Sequence, residues 1–330
     1  MTSQHPARMV SQHHPGARRP LEFERDRSAA DQSKPVTTQA SPARPHRGRQ
    51  VEQLPKPYLL FDAGGTLVFP DQEYLIETAQ IWNIHLTHQA LYQGYYQLIH
   101  QLDCQARSRG HFGTPWPHGY GHAILETLGL LDTSTTALAR RIWDRHQQRN
   151  LWSYTFDWVR ETLSDLTKQG YRMSVLSNSD GRTEKVFQTV KLDRYFEHIF
   201  DSKKLGFEKP DSTVFEYALA MLDLQPAEVL YVGDIYQVDI VGANRANIGG
   251  IHIDPLNLYA DWPGVHIIDV SHLPAWLSQP SHTHLSADLF PTKSTSTAGF
   301  CPPDPLLVAQ ENQPHPPSDG VTKSTQSNGC

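Results

Sequence analysis

Tyr58-Leu59-Leu60-Phe61-Asp62-Ala63-Gly64-Gly65-Thr66-Leu67 is the stretch whose reading decides the fold. Four apolar residues in a row predict a strand too apolar to face water on either side, as at the centre of a parallel sheet. The run ends on a carboxylate, and Gly64 and Gly65 let the backbone turn sharply just beyond it. Ligands gather at the carboxyl ends of strands in open α/β sheets, which places Asp62 for chemistry. An Asp at such a point also suits a plain turn cap, so the rest of the chain has to decide.

Outward from this strand the pattern changes twice. From about Glu73 to Arg107 apolar residues recur at helical spacing: Ile76, Ala79, Ile81, then Leu91, Tyr95, Leu98, Ile99 and Leu102. The Gly- and Pro-rich loop 110–121 interrupts, and helical spacing resumes through Ile124, Leu125, Leu128, Leu138, Ile142 and Trp143. That is too long for one crossover and predicts an inserted helical subdomain over 73–155. Helices and strands then alternate: a helix at 158–169, a strand at 172–177, a helix from 183, a short strand near 198–200. A helix at 212–222, a strand at 229–232, a helix near 238–246 and a strand at 250–253 follow. Short connections between them predict an α/β, Rossmann-like doubly wound parallel sheet, built from 56–72 and 156–277. Segments 1–55 and 278–330 are rich in Pro, Ser, Thr, Gln and His, cannot bury enough apolar surface to order, and are expected to be disordered tails.

Composition narrows the function classes. The net charge of −6 over 330 residues gives no case for nucleic-acid binding. No apolar run approaches the roughly 18 residues of a membrane helix. Three scattered cysteines, Cys104, Cys301 and Cys330, form neither a disulfide framework nor a zinc site, and they fit a reducing, cytoplasmic compartment. The 18 histidines show no His-Glu-x-x-His spacing, which argues against a His-based metal site. Nothing in the sequence sets the oligomeric state.

Polar residues recur at the predicted strand ends. Ser177-Asn178-Ser179 follows the second long strand, where a hydroxyl and backbone N–H groups at a strand-to-helix turn make an anion cradle. Lys209 precedes Pro210, which suits the first position of a helix. Gly233-Asp234 closes the next strand, and Asp239 lies about one helical turn on, on the same side. Two carboxylates that close repel unless a cation sits between them.

Strand-Asp, strand-Ser, Lys-Pro and strand-Gly-Asp with a further Asp, in this order, resemble the haloacid dehalogenase superfamily of hydrolases, mostly phosphatases. The resemblance covers roughly 56–275, and the helical insert looks like the family's helical (C1-type) cap. It implies Asp62 as the nucleophile that becomes an aspartyl-phosphate, Ser177 as the hydroxyl on a phosphoryl oxygen, and Lys209 as the cation that neutralises developing charge. It also implies Asn178 at the phosphate, and Asp62, the Gly64 carbonyl, Asp234 and Asp239 around Mg²⁺. The implied partner is a small phosphorylated metabolite.

Gly64 departs from the family pattern. Phosphatases of the family carry there a second Asp, a general acid/base worth about 10²–10⁴ in rate. Asp71, His111 or His118 are candidate substitutes. The alternatives are a slow phosphatase, a non-catalytic phosphate-ligand or protein-binding module, and a metal-independent 2-haloacid dehalogenase. The last lacks the Gly-Asp pair that Gly233-Asp234 supplies here. Phe112, Trp116 and Tyr120 of the cap loop are candidates to grip an apolar or ring-bearing substrate.

Overall fold

The computed structural model describes residues 56–111 and 118–279, so the expectations for both tails lie outside the described residues. β1 (Tyr58–Phe61) leads into a tight turn and a two-residue strand, β2 (Phe69–Pro70). Four helices follow: α1 (Gln72–Gln80), α2 (His88–Arg109), α3 (Tyr120–Thr127) and α4 (Thr136–Gln148). β3 (Trp152–Tyr154) pairs antiparallel with β2 and closes this insert. The chain then alternates through α5 (Asp157–Lys168), β4 (Met173–Ser177), α6 (Thr183–Thr189), β5 (Ile199–Asp201), α7 (Ser202–Leu205) and α8 (Ser212–Leu222). β6 (Val229–Gly233), a π-helical turn at Tyr236–Ile240 and α9 (Val241–Arg245) come next. β7 (Gly249–Ile253), β8 (Val265–Ile267) and α10 (Leu273–Leu277) end the fold.

Six strands form one parallel sheet in the order β5-β4-β1-β6-β7-β8. Alternation along β1 sorts its side chains. Leu59 and Phe61 join the core that α5, α10 and the inserted helices cover, whereas Tyr58 and Leu60 face Val214, Phe215 and Ala218 of α8 and Ala243 of α9. With both faces covered, β1, β4, β6 and β7 are buried along their whole length. β1 lies between β4 and β6, so Asp62, Ser177 and Asp234 emerge at one edge of the sheet. Among the described residues, no helix is long and apolar enough to cross a membrane.

Several local expectations need correction. The helical run from Glu73 to Arg107 breaks between α1 and α2, where Asn83 adopts a left-handed φ of 57° and Thr87 caps α2 by accepting from the Ala90 N–H at 3.1 Å. Pro210 does not open a helix. Asp211 caps α8, accepting from the Thr213 N–H at 2.9 Å, and the helix starts at Ser212. The expected helix at 238–246 is a π turn followed by α9. β2, β3 and β8 went unseen because two or three residues are too few to show a period. Cys104 is disulfide-bonded, so the cysteine count no longer argues for a reducing compartment.

One cap residue ties the insert to the sheet edge. Asp103 of α2 is fully buried and accepts from the backbone N–H of Tyr236 at 2.9 Å and of Gln237 at 2.8 Å. It also accepts from the Tyr259 hydroxyl at 2.7 Å. Burial pushes its carboxyl up to about 7, against the lowering effect of these donors. Asp103→Ala would leave three buried donors unpaired at about 1–3 kcal/mol each before relaxation. A loss of about 3 kcal/mol or more in urea-unfolding stability is expected, and a change below about 1 kcal/mol would remove this residue from its role.

Candidate active site

The turn after β1 is built around oxygen atoms. The Asp62 N–H donates to the Val232 carbonyl at 2.8 Å, which extends the β1–β6 ladder one residue past the strand and fixes the side chain at the edge. Gly65 has φ 78°, and a Cβ there would sit 2.2 Å from Asp234 Oδ2 and 2.4 Å from the Tyr95 hydroxyl. Only glycine fits. Gly233 is under the same demand, since a Cβ would lie 2.5 Å from Asp239 Cγ. The two glycines let three carboxylates crowd together: oxygens of Asp62, Asp234 and Asp239 all lie within 4.8 Å of one another, and all three residues are buried.

Lys209 enters this cluster. Its ammonium donates to Asp62 Oδ1 at 2.6 Å, Asp239 Oδ1 at 2.7 Å and the Tyr231 hydroxyl at 2.7 Å. The residue is 3% exposed. Desolvation pulls the ammonium down, but Asp239 and Asp62 outweigh it and hold its pKa above the ordinary value. Asn178 fixes the segment by donating to the Lys209 carbonyl at 2.8 Å and accepting from the Lys209 N–H at 2.9 Å. The Asn178 side chain is therefore spent on Lys209 and does not aim at an anion.

One ammonium faces three carboxylates, so the cluster is short of positive charge. Burial pushes Asp62 up to about 6 despite Lys209, and burial with the charges of Asp62 and Asp239 raises Asp234 well above the usual range. The donors are all hard oxygens, which suits Mg²⁺. Asp239 fits a ligand role less well than Asp62 and Asp234. Its Oδ1 serves Lys209, and its Oδ2 accepts from the Ile235 N–H at 2.9 Å. The cap reaches the same place: the Tyr95 hydroxyl of α2 donates to Asp234 Oδ2 at 3.0 Å and lies 3.4 Å from the Gly64 carbonyl.

Above the cluster is a cavity of about 410 Å³ whose wall includes Asp62, Gly64, Ser177, Asn178, Lys209 and Tyr120. The cap side of the wall adds Trp143, His146, Asn150 and Trp152. Phe112 and Trp116 lie outside the described residues. Neither Asp71, His111 nor His118 is part of the wall. Asp71 instead caps α1 and pairs with Arg145 at 3.4 Å, and the His118 ring packs on His122. Sequence reasoning missed Tyr95, Tyr231, Trp143, His146 and Trp152. Tyr95 and Trp143 were visible only as apolar positions of helical runs and Tyr231 only as part of an apolar strand, while His146 and Trp152 carried no spacing signal.

Comparison with known proteins places these residues in context. The family model for haloacid dehalogenase-like hydrolases matches residues 120–253. A haloacid dehalogenase-like hydrolase domain-containing protein 3 of Xenopus laevis is 30% identical over 136 residues, covering 40% of this chain and 55% of its own length. A glyceraldehyde 3-phosphate phosphatase of Methanothermobacter thermautotrophicus is 34% identical over 96 residues, covering 28% of this chain and 42% of its own. The chain spans about half the length of the first curated relatives it matches. Among solved structures, a HAD-hydrolase of Bacillus subtilis, YfnB, bound to magnesium, is 22% identical with a TM-score of 0.48, covering 68% of this chain and 99% of its own.

The raised carboxyls set a pH signature for the metal-free protein. With a folded value of about 6 against an unfolded value near 4, Asp62 holds its proton longer folded than unfolded, so its contribution to stability is lost as pH rises through about 6. His100, His146 and His252, all lowered chiefly by burial, act in the opposite direction in the same window. Comparison with Asp62→Asn cancels them. In EDTA the Tm of Asp62→Asn minus that of the wild type should increase from pH 5 to pH 8. A difference that stays flat or shrinks would contradict the charge-deficit reading.

Proposed function

We propose that this chain is a haloacid dehalogenase-like, Mg²⁺-dependent hydrolase of a small phosphomonoester acting through an aspartyl-phosphate on Asp62. The observation that carries the reading is the buried contact of Lys209 Nζ with Asp62 Oδ1 at 2.6 Å, beside Asp234 and under a cavity of about 410 Å³. Relatives named as phosphatases support the same reaction class.

The chain's own residues divide the work. Asp62 supplies the attacking carboxylate, which splits one difficult displacement into two easier ones. The Lys209 ammonium, pinned by Asp239, Tyr231 and Asn178, stands where negative charge develops at phosphorus and is already oriented when it does. Ser177, the last residue of β4 and part of the cavity wall, donates its hydroxyl to a phosphoryl oxygen. Mg²⁺, held by Asp62, Asp234 and the Gly64 carbonyl, would neutralise the repulsion between nucleophile and phosphate. Asp239 is assigned to holding Lys209 rather than to the metal.

A second reading has an observation in its favour. A Cβ on Gly64 would meet Trp152 Nε1 at 3.0 Å, so an indole stands where a general acid would project, as a non-catalytic phosphate-ligand module would allow. A chromogenic aryl phosphate separates the two, because its leaving group needs no proton. Expected for the hydrolase is Mg²⁺-dependent phosphate release that falls by on the order of 10⁴ or more in Asp62→Asn. EDTA should abolish it, with recovery on adding Mg²⁺. No release by the wild type at high enzyme concentration would leave the binding module.

A further inference from the structure

Resting on the hydrolase reading of Asp62, we propose that the cavity takes an aryl phosphate, its flat ring packed against Trp143 and Trp152 and its phenolic oxygen leaving without a proton from the protein. Two independent features of the site converge on this ligand class.

The first is the missing proton donor. An ideal Cβ on Gly64 would lie 3.0 Å from Trp152 Nε1 and 3.2 Å from its Cδ1, so the indole edge takes the space a carboxyl from this position would need. Of the other titratable side chains in the cavity wall, Glu208 is exposed to solvent and three more are poor replacements. Asp180 is held ionised by its pairing with Arg182, in spite of partial burial. Burial and the charge of Arg182 lower the pKa of His146, and its Nδ1 accepts from the Leu151 N–H at 3.2 Å. Tyr120 has its hydroxyl pKa raised by burial, which makes it a weaker acid than a free phenol. A phenolate, with a pKa near 10 as for tyrosine, departs unassisted far more readily than an aliphatic alkoxide.

The second is the aromatic part of the cavity wall. Tyr120 and Trp152 pack edge to face with ring centroids 5.0 Å apart, and His146 meets Trp152 at 5.9 Å. Trp143 stacks on His146 at 5.4 Å and an interplanar angle of 26°, yet remains 40% exposed. The buried residues of α4, Leu138, Ala139 and Ile142, belong to the hydrophobic core, which Trp143 is not needed to close. A cavity of about 410 Å³ falls in the range that encloses a small organic ligand.

The reaction balances without a co-reactant other than water. An Asp62 carboxylate oxygen forms the bond to phosphorus as the P–O(aryl) bond breaks, and its electron pair leaves on the phenolate. Water then displaces the carboxylate from phosphorus. Inorganic phosphate is released, and the phenolate takes the remaining proton through solvent.

The test is kcat/KM across aryl phosphates of graded leaving-group pKa, with glycerol phosphate as the alkyl case and acetyl phosphate as a good leaving group without a ring. Rates should fall steeply with leaving-group pKa, and glycerol phosphate should lie at least about 100-fold below phenyl phosphate. Trp143→Ala should narrow the preference for phenyl over acetyl phosphate by about threefold to tenfold, through KM. Equal rates on phenyl and glycerol phosphate, or an unchanged preference in Trp143→Ala, would overturn the proposal. Quenching of tryptophan fluorescence by phenylphosphonate against methylphosphonate, with Mg²⁺ present, reads the ring site without turnover. Silence on every ester with phenylphosphonate still preferred would sink the hydrolase reading and keep the ligand class, whereas no preference between the phosphonates would overturn the ligand class itself.

Discussion

The ammonium of Lys209 between Asp62 and Asp239 is the contact on which the sheet edge depends. Three chain segments that are remote in sequence meet there: the end of β1, the turn after β6 and the loop before α8. A buried ion pair is weak evidence for stability on its own, because desolvation consumes most of the attraction. What this one supplies is position. Every proton of the ammonium has an acceptor, the third being the Tyr231 hydroxyl, which in turn donates to the Leu176 carbonyl at 2.9 Å. Tyr231 thereby links the lysine to the backbone of β4, one residue before Ser177. Asp62, Lys209, Asp239 and the backbone of β4 next to Ser177 are thus joined by one hydrogen-bonded network.

The cap is tied to the same edge from the other side. Tyr95 reaches Asp234, Tyr96 donates to the Gly65 carbonyl at 2.6 Å, and Asp103 holds the backbone of the π turn that carries Asp239. All three lie on α2, spaced so that they fall along one side of the helix. This couples cap placement to the geometry of the carboxylate cluster. The excess negative charge of that cluster is therefore sensed by cap tyrosines, whose hydroxyl pKa values are raised well above normal, chiefly by burial and with Asp234 contributing. Such values keep the phenols protonated, which leaves the Tyr95 hydroxyl able to donate to Asp234.

The sheet was legible because its central strands are short apolar runs that each stop at a polar residue, a signal that survives without any neighbour. The helix Ser212–Leu222 was readable for a related reason, since its apolar positions repeat with helical period, although Pro210 also suited a helix start. The parts that stayed hidden share a different cause. The resemblance singled out Lys209, but its burial stayed hidden, because that burial is created by Asp62, Asp239 and Tyr231, from 22 to 147 positions away. Asn178 looked like an anion donor because nothing in its own neighbourhood announces Lys209 as its partner. His146 and Trp152 sit in or beside the return from the inserted helices to the sheet, where no periodicity marks them; Trp143 shows only as an apolar position of a helical run, and only the fold lines all three along one cavity with Asp62.

Gly64 shows how a local departure in sequence acquires meaning from packing. Read alone, a glycine two residues past Asp62 is a missing carboxyl, and a single substitution would seem to restore it. In the structure the vacated space is shared with the edge of an indole delivered by β3, the strand that joins cap to core. The glycine and the tryptophan are thus one feature. Bulk at position 64 would push on Trp152, and through its ring contacts with Tyr120 and His146 on the wall of the cavity. An aromatic surface has been placed where proton-transfer chemistry would otherwise stand, and it can act on a substrate only by shape and by excluding water. The selectivity of such a site must come from the substrate's own leaving group and from how well a flat surface fits against the rings.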